Sequence, residues 1–464
     1  MFDFLLTCVL GGMSAFGFFN PNSQYLIPLS LIIFLFIHPI LKPKHLTHYF
    51  LSLHTLGSLW LLVPIHFIGG VNYMLSCLVI LLLGSSLGYI YGLTYQAFIA
   101  INKKSHAHMN MIILLPSSIV TAEYVKFHFI GGYPFLLYSH FFVNTHYQFI
   151  IPFLGNYGCC WLLICLCCTL VYFYKHKRYV QLSILIISLL SIHYINLAAP
   201  KFNVEKNPIS VYIVHTNKHY VTKNQLDKNP TNLDLNTDAN LILYPESMHQ
   251  SLKSIHRNTS QQYTLTGLIN YDEQQHGFRN TMIGINGDNQ IDFIHNKHHL
   301  AQFNEWIPNG IQSILKAFKL PHQGFIAGNG EDTNGRINDV NFMSLICYEI
   351  LFSNFIYHNI NDAQMIILNN DLGWFEHSLF TNYYFQNAKL IALLTQKPIV
   401  ISSNVAPSAN ITSDGKITFY NDNQLVNIVP NQGKTPWMYY GDNGILSLIF
   451  LLNLILYFQQ KKEH

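Results

Sequence analysis

The stretch Ser344-Leu-Ile-Cys-Tyr-Glu-Ile-Leu-Phe352 runs apolar up to one cysteine, Cys347, with a glutamate two positions later and a helical pattern after it. The chain has eight cysteines. Cys8, Cys77, Cys159, Cys160, Cys165, Cys167 and Cys168 sit in strongly apolar segments. Cys347 alone falls in the large polar region, with no disulfide partner there. A lone thiol at the end of a strand-like run is a candidate nucleophile. The same pattern fits a small buried hydrophobe, because free cysteine is among the most buried residue types. The surrounding chain has to decide.

Of the 464 residues, 50% are hydrophobic, 14% aromatic and only 11% charged. Soluble domains carry about 25% charged residues, so a large part of this chain lies in lipid. The net charge of +3 gives no nucleic-acid signal. The apolar character is uneven. Residues 1–198 are almost continuously hydrophobic, 199–440 are rich in Asn, Asp and Lys, and 443–458 are apolar again. These divide the chain into a membrane domain of seven spans, a polar domain and a C-terminal span. The polar region is long enough to bury its own core.

A spanning helix needs roughly 20 mostly apolar residues. Spans are expected near 3–19, 25–41, 49–69, 73–101, 110–126, 149–174, 179–198 and 443–458. Lys42 and Lys44 follow the second, Lys103 and Lys104 the fourth, Lys175, Lys177 and Arg178 the sixth, Lys461 and Lys462 the eighth. The alternate loops, 20–24, 70–72 and 127–148, contain no Lys or Arg. Basic residues stay cytoplasmic. Both termini are therefore expected inside and the 199–440 domain outside, in the periplasm if the cell has an inner membrane. The first span lacks a cleavage pattern and is expected to be retained. Glu123, at the end of the fifth span, is placed either at the watery interface or against a partner.

In the polar region, strand-like runs at 210–216, 240–244, 263–269, 281–285, 291–294, 343–348, 365–368 and 398–402 alternate with helical ones, chiefly 378–396. A turn-linked strand pair surrounds Ser413-Asp-Gly415. This is the pattern of an α/β domain. Glu246, Lys297 and Cys347 stand at the ends of three such strands, where sites gather in α/β sheets. A carboxylate that takes the thiol proton, an ammonium that stabilises an oxyanion and a sulfur that holds an acyl group as a thioester form a working set. Each residue alone has a plainer reading: Glu246 as a helix-start acid, Lys297 as a surface charge.

These residues sit in recognisable segments: Leu243-Tyr-Pro-Glu-Ser247, Asn296-Lys-His-His-Leu-Ala-Gln-Phe-Asn-Glu-Trp-Ile-Pro308, Ile346-Cys-Tyr-Glu-Ile350 and Asn370-Asp-Leu-Gly-Trp-Phe375. Thr121-Ala-Glu-Tyr and Gly132-Tyr-Pro-Phe-Leu-Leu-Tyr-Ser139 precede them in the apolar half. In order and spacing the polar region resembles the nitrilase, or carbon–nitrogen hydrolase, superfamily. The whole chain resembles its membrane-embedded branch, the apolipoprotein N-acyltransferases. The resemblance implies an αββα sandwich, with Glu246 as general base, Lys297 as oxyanion stabiliser and Cys347 as acylated nucleophile. Glu305 matches a second glutamate beside the lysine, Tyr348 and Glu349 flank the nucleophile, and Asn280 matches a supporting asparagine. It implies acyl transfer from a membrane phospholipid to the N-terminal amine of a diacylated apolipoprotein, by a monomer that uses no cofactor.

The chain departs from the family at Thr222-Lys-Asn-Gln225, Gln302-Phe-Asn-Glu305, Gly373, Leu394-Thr-Gln-Lys397 and Asn404-Val-Ala406, all where pocket walls are expected. Alternatives are a membrane-anchored amidase that uses water, a nitrilase-like membrane protein of conjugation systems, and a non-catalytic protein that keeps the fold. The 24 histidines, His295, His298 and His299 among them, show no zinc-site spacing, and no metal is expected.

Overall fold

The structure is a computed structural model. It describes residues 2–38, 40–101, 110–128, 132–195, 197, 200–216, 238–249, 262–301, 305–306, 324–330, 332–375 and 378–462. The chain forms two compact units. One comprises Met1–Leu62, Gly70–Pro200 and Pro436–His464, the other Val63–Gly69 and Lys201–Thr435.

The first unit is helical. Helices form at each of the eight apolar stretches: Phe2–Phe19, Leu26–Ile37, Pro43–Gly57, Tyr73–Ile101, Leu115–His128, Ile151–Lys175, Tyr179–Ile195 and Trp437–Lys462. Among the described residues, four helical segments are long and apolar enough to cross a membrane: Pro43–Ile68, Tyr73–Ile101, Gln148–Lys175 and Trp437–Ile455. The others are shorter. Leu26–Ile37 has 12 residues, and at 1.5 Å per residue it spans only about 18 Å of a core about 30 Å thick. Helix length therefore supports a membrane domain but not the count of eight spans.

Packing within this unit relies on small residues. Gly84, Gly88 and Gly92 recur every fourth position on Tyr73–Ile101 and face Thr55, Leu51 and Thr47 of the neighbouring helix. A Cβ on Gly88 would lie 2.5 Å from the Leu51 nitrogen, so only glycine lets the two backbones approach this closely. Glu123 is not at a watery interface. It is fully buried, its Oε1 accepts the Tyr91 hydroxyl at 2.6 Å, and Lys126 Nζ lies 2.5 Å from its Oε2. Lys126 also donates to the Phe135 carbonyl at 2.7 Å.

The second unit is α/β. Its strands are β1 Val204–Glu205, β2 Ile209–Ile213, β3 Leu241–Leu243, β4 Tyr263–Asp272, β5 Gly277–Ile285, β6 Ile291–Asn296, β7 Asn334–Ile337, β8 Val340–Ile346, β9 Met365–Asp371, β10 Ile399–Asn404, β11 Ser408–Ile411, β12 Ile417–Tyr420, β13 Gln424–Ile428 and β14 Asn431–Gln432. They make two six-stranded sheets, β13-β2-β3-β4-β5-β6 and β12-β11-β10-β9-β8-β7, plus the small β1-β14 pair.

The sheets pack face to face. Phe293 meets Phe342 edge-on at 5.2 Å between centroids, and the Ser344 hydroxyl lies 3.0 Å from Met282 Sδ. The central strand β9 is buried at all seven positions, which explains its unbroken apolar run Met365-Ile-Ile-Leu368. Helices Ser353–Asn359 and Phe380–Thr395 follow β8 and β9, as parallel strand pairs require. The segments between β2 and β3 and between β3 and β4 lie largely outside the described residues.

Candidate active site

Strand β3 runs into Tyr244-Pro-Glu246 and β6 into Lys297. β3 pairs parallel with β4, and two antiparallel steps then lead to β6, so β3 and β6 point the same way. Glu246 and Lys297 therefore leave one edge of the first sheet. Cys347 is the first residue past β8 in the second sheet, and Asp371 ends the parallel neighbour β9. Glu246, Lys297, Glu305, Cys347, Tyr348 and Asp371 line one cavity, walled further by Ala301, Trp374, Phe375, Phe380 and Tyr384.

The Glu246 side chain is held from several directions. Glu246 Oε1 lies 3.1 Å from Lys297 Nζ and accepts Asn280 Nδ2 at 2.6 Å. Its Oε2 accepts the Asp371 amide at 2.7 Å, and its backbone carbonyl accepts Asn404 Nδ2 at 3.0 Å. Its turn rests directly on β4 at Gly267, where a Cβ would lie 2.5 Å from the Ser247 nitrogen and 2.8 Å from Glu246 Cα. Glu305 lies 3.0 Å from Lys297 Nζ, takes the other Asn280 proton at 2.9 Å, and accepts the Ala301 amide at 2.8 Å. One ammonium and one amide thus bridge two buried carboxylates.

Cys347 sits on a sharp turn. Cys347 has φ 46°, the left-handed region that costs a side-chain-bearing residue about 1–3 kcal/mol. Glu349 braces this turn against the lysine. It accepts the Ile346 amide at 2.8 Å, His295 Nε2 at 2.8 Å and the His298 amide at 2.7 Å. The residues on both sides of Lys297 are therefore tied to the residues on both sides of Cys347. Burial alone pushes the Glu349 carboxyl up, but His295 and the two amides outweigh it and bring it down to about 2. Tyr348 meets Phe352 edge-on at 5.2 Å.

Protonation follows from burial. Burial pushes the Cys347 thiol well above its usual range and Glu246 and Glu305 add to this, against the opposing pull of Lys297. Burial likewise raises Glu246, helped by Glu305 and Asp371 and opposed by Lys297. Burial disfavours the Lys297 ammonium, but the two carboxylates overcome it and hold the group charged. Lysine alone does not produce a resting thiolate. A carboxylate in the same cavity, Glu246, is placed where it could accept the thiol proton.

Glu246, Lys297, Cys347, Glu305, Tyr348, Glu349 and Asn280 are all brought together or placed one residue behind the cavity. Thr222–Gln225 and Gln302–Asn304 lie outside the described residues. Asn404 holds the Glu246 turn despite the altered residues after it. Among the described residues no group of three or more His, Cys, Asp or Glu is placed to hold a metal ion. His295 pairs with Glu349, while His298 and His299 stack on Phe355 and Phe352. Motif reading did not single out Asp371, Asn370, Tyr384 or the His295–Glu349 pair. The first two lay in a quoted motif, whereas Tyr384 is one aromatic among several in an apolar helix and leaves no signal of its own.

The apolar half matches the family model for the apolipoprotein N-acyltransferase N-terminal domain over residues 10–169. The polar half matches the carbon-nitrogen hydrolase model over residues 238–426. Apolipoprotein N-acyltransferase of Wigglesworthia glossinidia brevipalpis is 24% identical over 433 residues, 86% of this chain and 85% of that one. Over most of its length the chain is similar to the apolipoprotein N-acyltransferases. The Coxiella burnetii apolipoprotein N-acyltransferase is likewise 24% identical, over 86% of this chain and 88% of its own. That of Photobacterium profundum is 24% identical over 94% and 91%. Among solved structures, the carbon-nitrogen hydrolase of Helicobacter pylori G27 aligns at a TM-score of 0.35, with 11% identity over 48% of this chain and 88% of that one. This chain joins a membrane domain to a nitrilase-like α/β domain. The protein is an N-acyltransferase.

Proposed function

We propose that this N-acyltransferase moves a fatty acyl chain from a membrane phospholipid to the N-terminal α-amine of diacylglyceryl-cysteine in apolipoproteins, through a thioester on Cys347. The observation that carries the reading is the single cavity shared by Glu246, Lys297 and Cys347. Glu246 takes the thiol proton as the sulfur attacks the ester carbonyl. The oxyanion that forms is stabilised by Lys297. Collapse breaks the ester bond, Glu246 returns the proton to the departing alkoxide, and a lysophospholipid leaves. The acceptor amine then attacks the thioester and gives its proton to Glu246. Collapse breaks the carbon–sulfur bond, and the sulfur recovers that proton. Asn280 and Glu305 keep the base and the ammonium in register.

The apolar walls Trp374, Phe375 and Phe380 suit an acyl chain and disfavour water, which supports transfer to an amine over hydrolysis. The basic loops support an orientation with both termini cytoplasmic and the α/β domain periplasmic, in the inner membrane. The protein acts as a monomer in this reading.

The full chain, purified in detergent with phospholipid, is expected to add one fatty acyl mass to the peptide that carries Cys347. The adduct is expected to disappear when a diacylated lipopeptide amine is supplied. No adduct at all would overturn the acyl-enzyme reading. Loss to water at one rate, with or without amine, would make the protein a hydrolase.

A further inference from the structure

Tyr384 belongs to none of the motifs, yet its hydroxyl meets the nucleophile's own backbone. Helix Phe380–Thr395 presents it, 1% exposed, with Oη 2.9 Å from the carbonyl oxygen of Cys347 and 2.5 Å from the side-chain amide of Asn370. Both neighbours are oxygens when the Asn370 oxygen faces Tyr384, and a phenol has one proton to give. In that orientation Asn370 Nδ2 is buried without a hydrogen-bond partner. The two ends of a side-chain amide have the same shape and are told apart by their partners. Turned by half a rotation, Asn370 donates to Tyr384 and Tyr384 donates to Cys347, so each contact holds one proton. Burial pushes the Tyr384 phenol well above its usual range, and it remains a hydroxyl donor.

The Cys347 carbonyl and the Tyr348 N–H are opposite edges of one planar peptide. Holding one edge fixes the other. It also fixes the Cα that carries the sulfur, at a residue whose φ of 46° does not hold itself.

We propose that Tyr384, oriented by the Asn370 amide, is a positioning residue for acyl transfer that clamps the Cys347–Tyr348 peptide in its attack geometry. The inference rests on the reading of Cys347 as the acyl-accepting sulfur. Asn370 is the last residue but one of β9, and the final amide of that strand, that of Asp371, binds Glu246. A single strand end thus sets both the base and, through Tyr384, the nucleophile.

The test uses the full chain in detergent with a dioleoyl phospholipid and compares wild type with Tyr384→Phe, Asn370→Ala and the double variant. Three quantities are measured: the rate of thioester formation on Cys347, the KM for a diacylated lipopeptide, and the rate of Cys347 alkylation by iodoacetamide. Alkylation needs an accessible thiol but no attack on a carbonyl. Y384F is expected to slow thioester formation roughly 10- to 100-fold, as a misplaced reacting group does. KM and alkylation are expected to change less than about threefold. N370A is expected to show a smaller loss, and the double variant no more loss than Y384F, because the pair acts as one unit.

An equal fall in alkylation and acylation would overturn the proposal, by making the hydroxyl a requirement for an intact thiol site. Unchanged acylation in Y384F, or fully additive losses in the double variant, would overturn it too. Absence of any adduct in wild type would instead bring down the acyl-enzyme reading.

Discussion

In the proposed reaction Cys347 enters as a thiol. It is buried with two carboxylates and one ammonium, and burial with the carboxylates prevails. Its alkylation by iodoacetamide is therefore expected to be slow at pH 7 and to climb without a plateau up to about pH 9, the ordinary thiol range. A plateau below pH 7 in a rate–pH series would show a preformed thiolate and remove the need for a base. In the proposed reaction Glu246 is that base. Glu246→Gln keeps the shape and the hydrogen bond from the Asp371 amide but accepts no proton. Thioester formation is expected to fall by about 10²–10⁴, the usual worth of general-base catalysis. The adduct mass followed over time checks this; a loss under tenfold would assign proton removal elsewhere.

Strand ends turn these residues into a site. Glu349 ties the end of β8 to both flanks of Lys297, and its carboxyl is held at about 2. A carboxylate depressed in the folded state contributes stability that is fully present above its unfolded pKa, about 4.3. That contribution fades as pH falls from there toward 2. Glu349→Gln is thus expected to lower the melting temperature above about pH 4.5 and to differ least from wild type near pH 2. Equal destabilisation at every pH would mean that shape, not charge, holds the turn.

At β4, Gly267→Ala would drive a Cβ into backbone atoms of the Glu246 turn, which cannot yield as a side-chain tip can. A loss of about 1–3 kcal/mol is expected, as for other overpacked sites. Acylation should fall with it, read by melting and by adduct rate.

The same elements show what the sequence makes legible. β9 and β10 are apolar runs bounded by polar turns, and the motif ends carried Glu246, Lys297 and Cys347 because chemistry clusters where strands stop. β7, Asn334-Gly-Arg-Ile337, and β13, exposed at three of five positions, are edge strands with little burial to mark them. The Glu349–His295 and Tyr384–Cys347 contacts join residues 54 and 37 positions apart. Such pairs exist only once two sheets and a helix are folded.

Two units with different solvents share this chain, and basic residues decide which side each loop faces. Lys126 adjoins a loop that the charge pattern places outside, against the rule for basic residues. The structure removes the conflict, because Lys126 is buried and paired with Glu123 and donates to Phe135. A neutralised lysine inside the helical unit does not act as a free cytoplasmic anchor. The remaining anchors include Lys42, Lys44, Lys177 and Arg178, and the turn after Phe2–Phe19 has none. Asn22 and Lys177 are exposed on two turns of opposite character. Single cysteines at these sites, Asn22→Cys and Lys177→Cys, are therefore expected to differ in intact spheroplasts treated with a membrane-impermeant maleimide. N22C should label before lysis and K177C only after it, with the parent chain setting the background from its own cysteines. Labelling of K177C and protection of N22C would invert the orientation and put the proposed acyl-transfer cavity in the cytoplasm. A periplasmic acceptor amine would then be out of reach, so the result decides the proposed substrate as well as the topology.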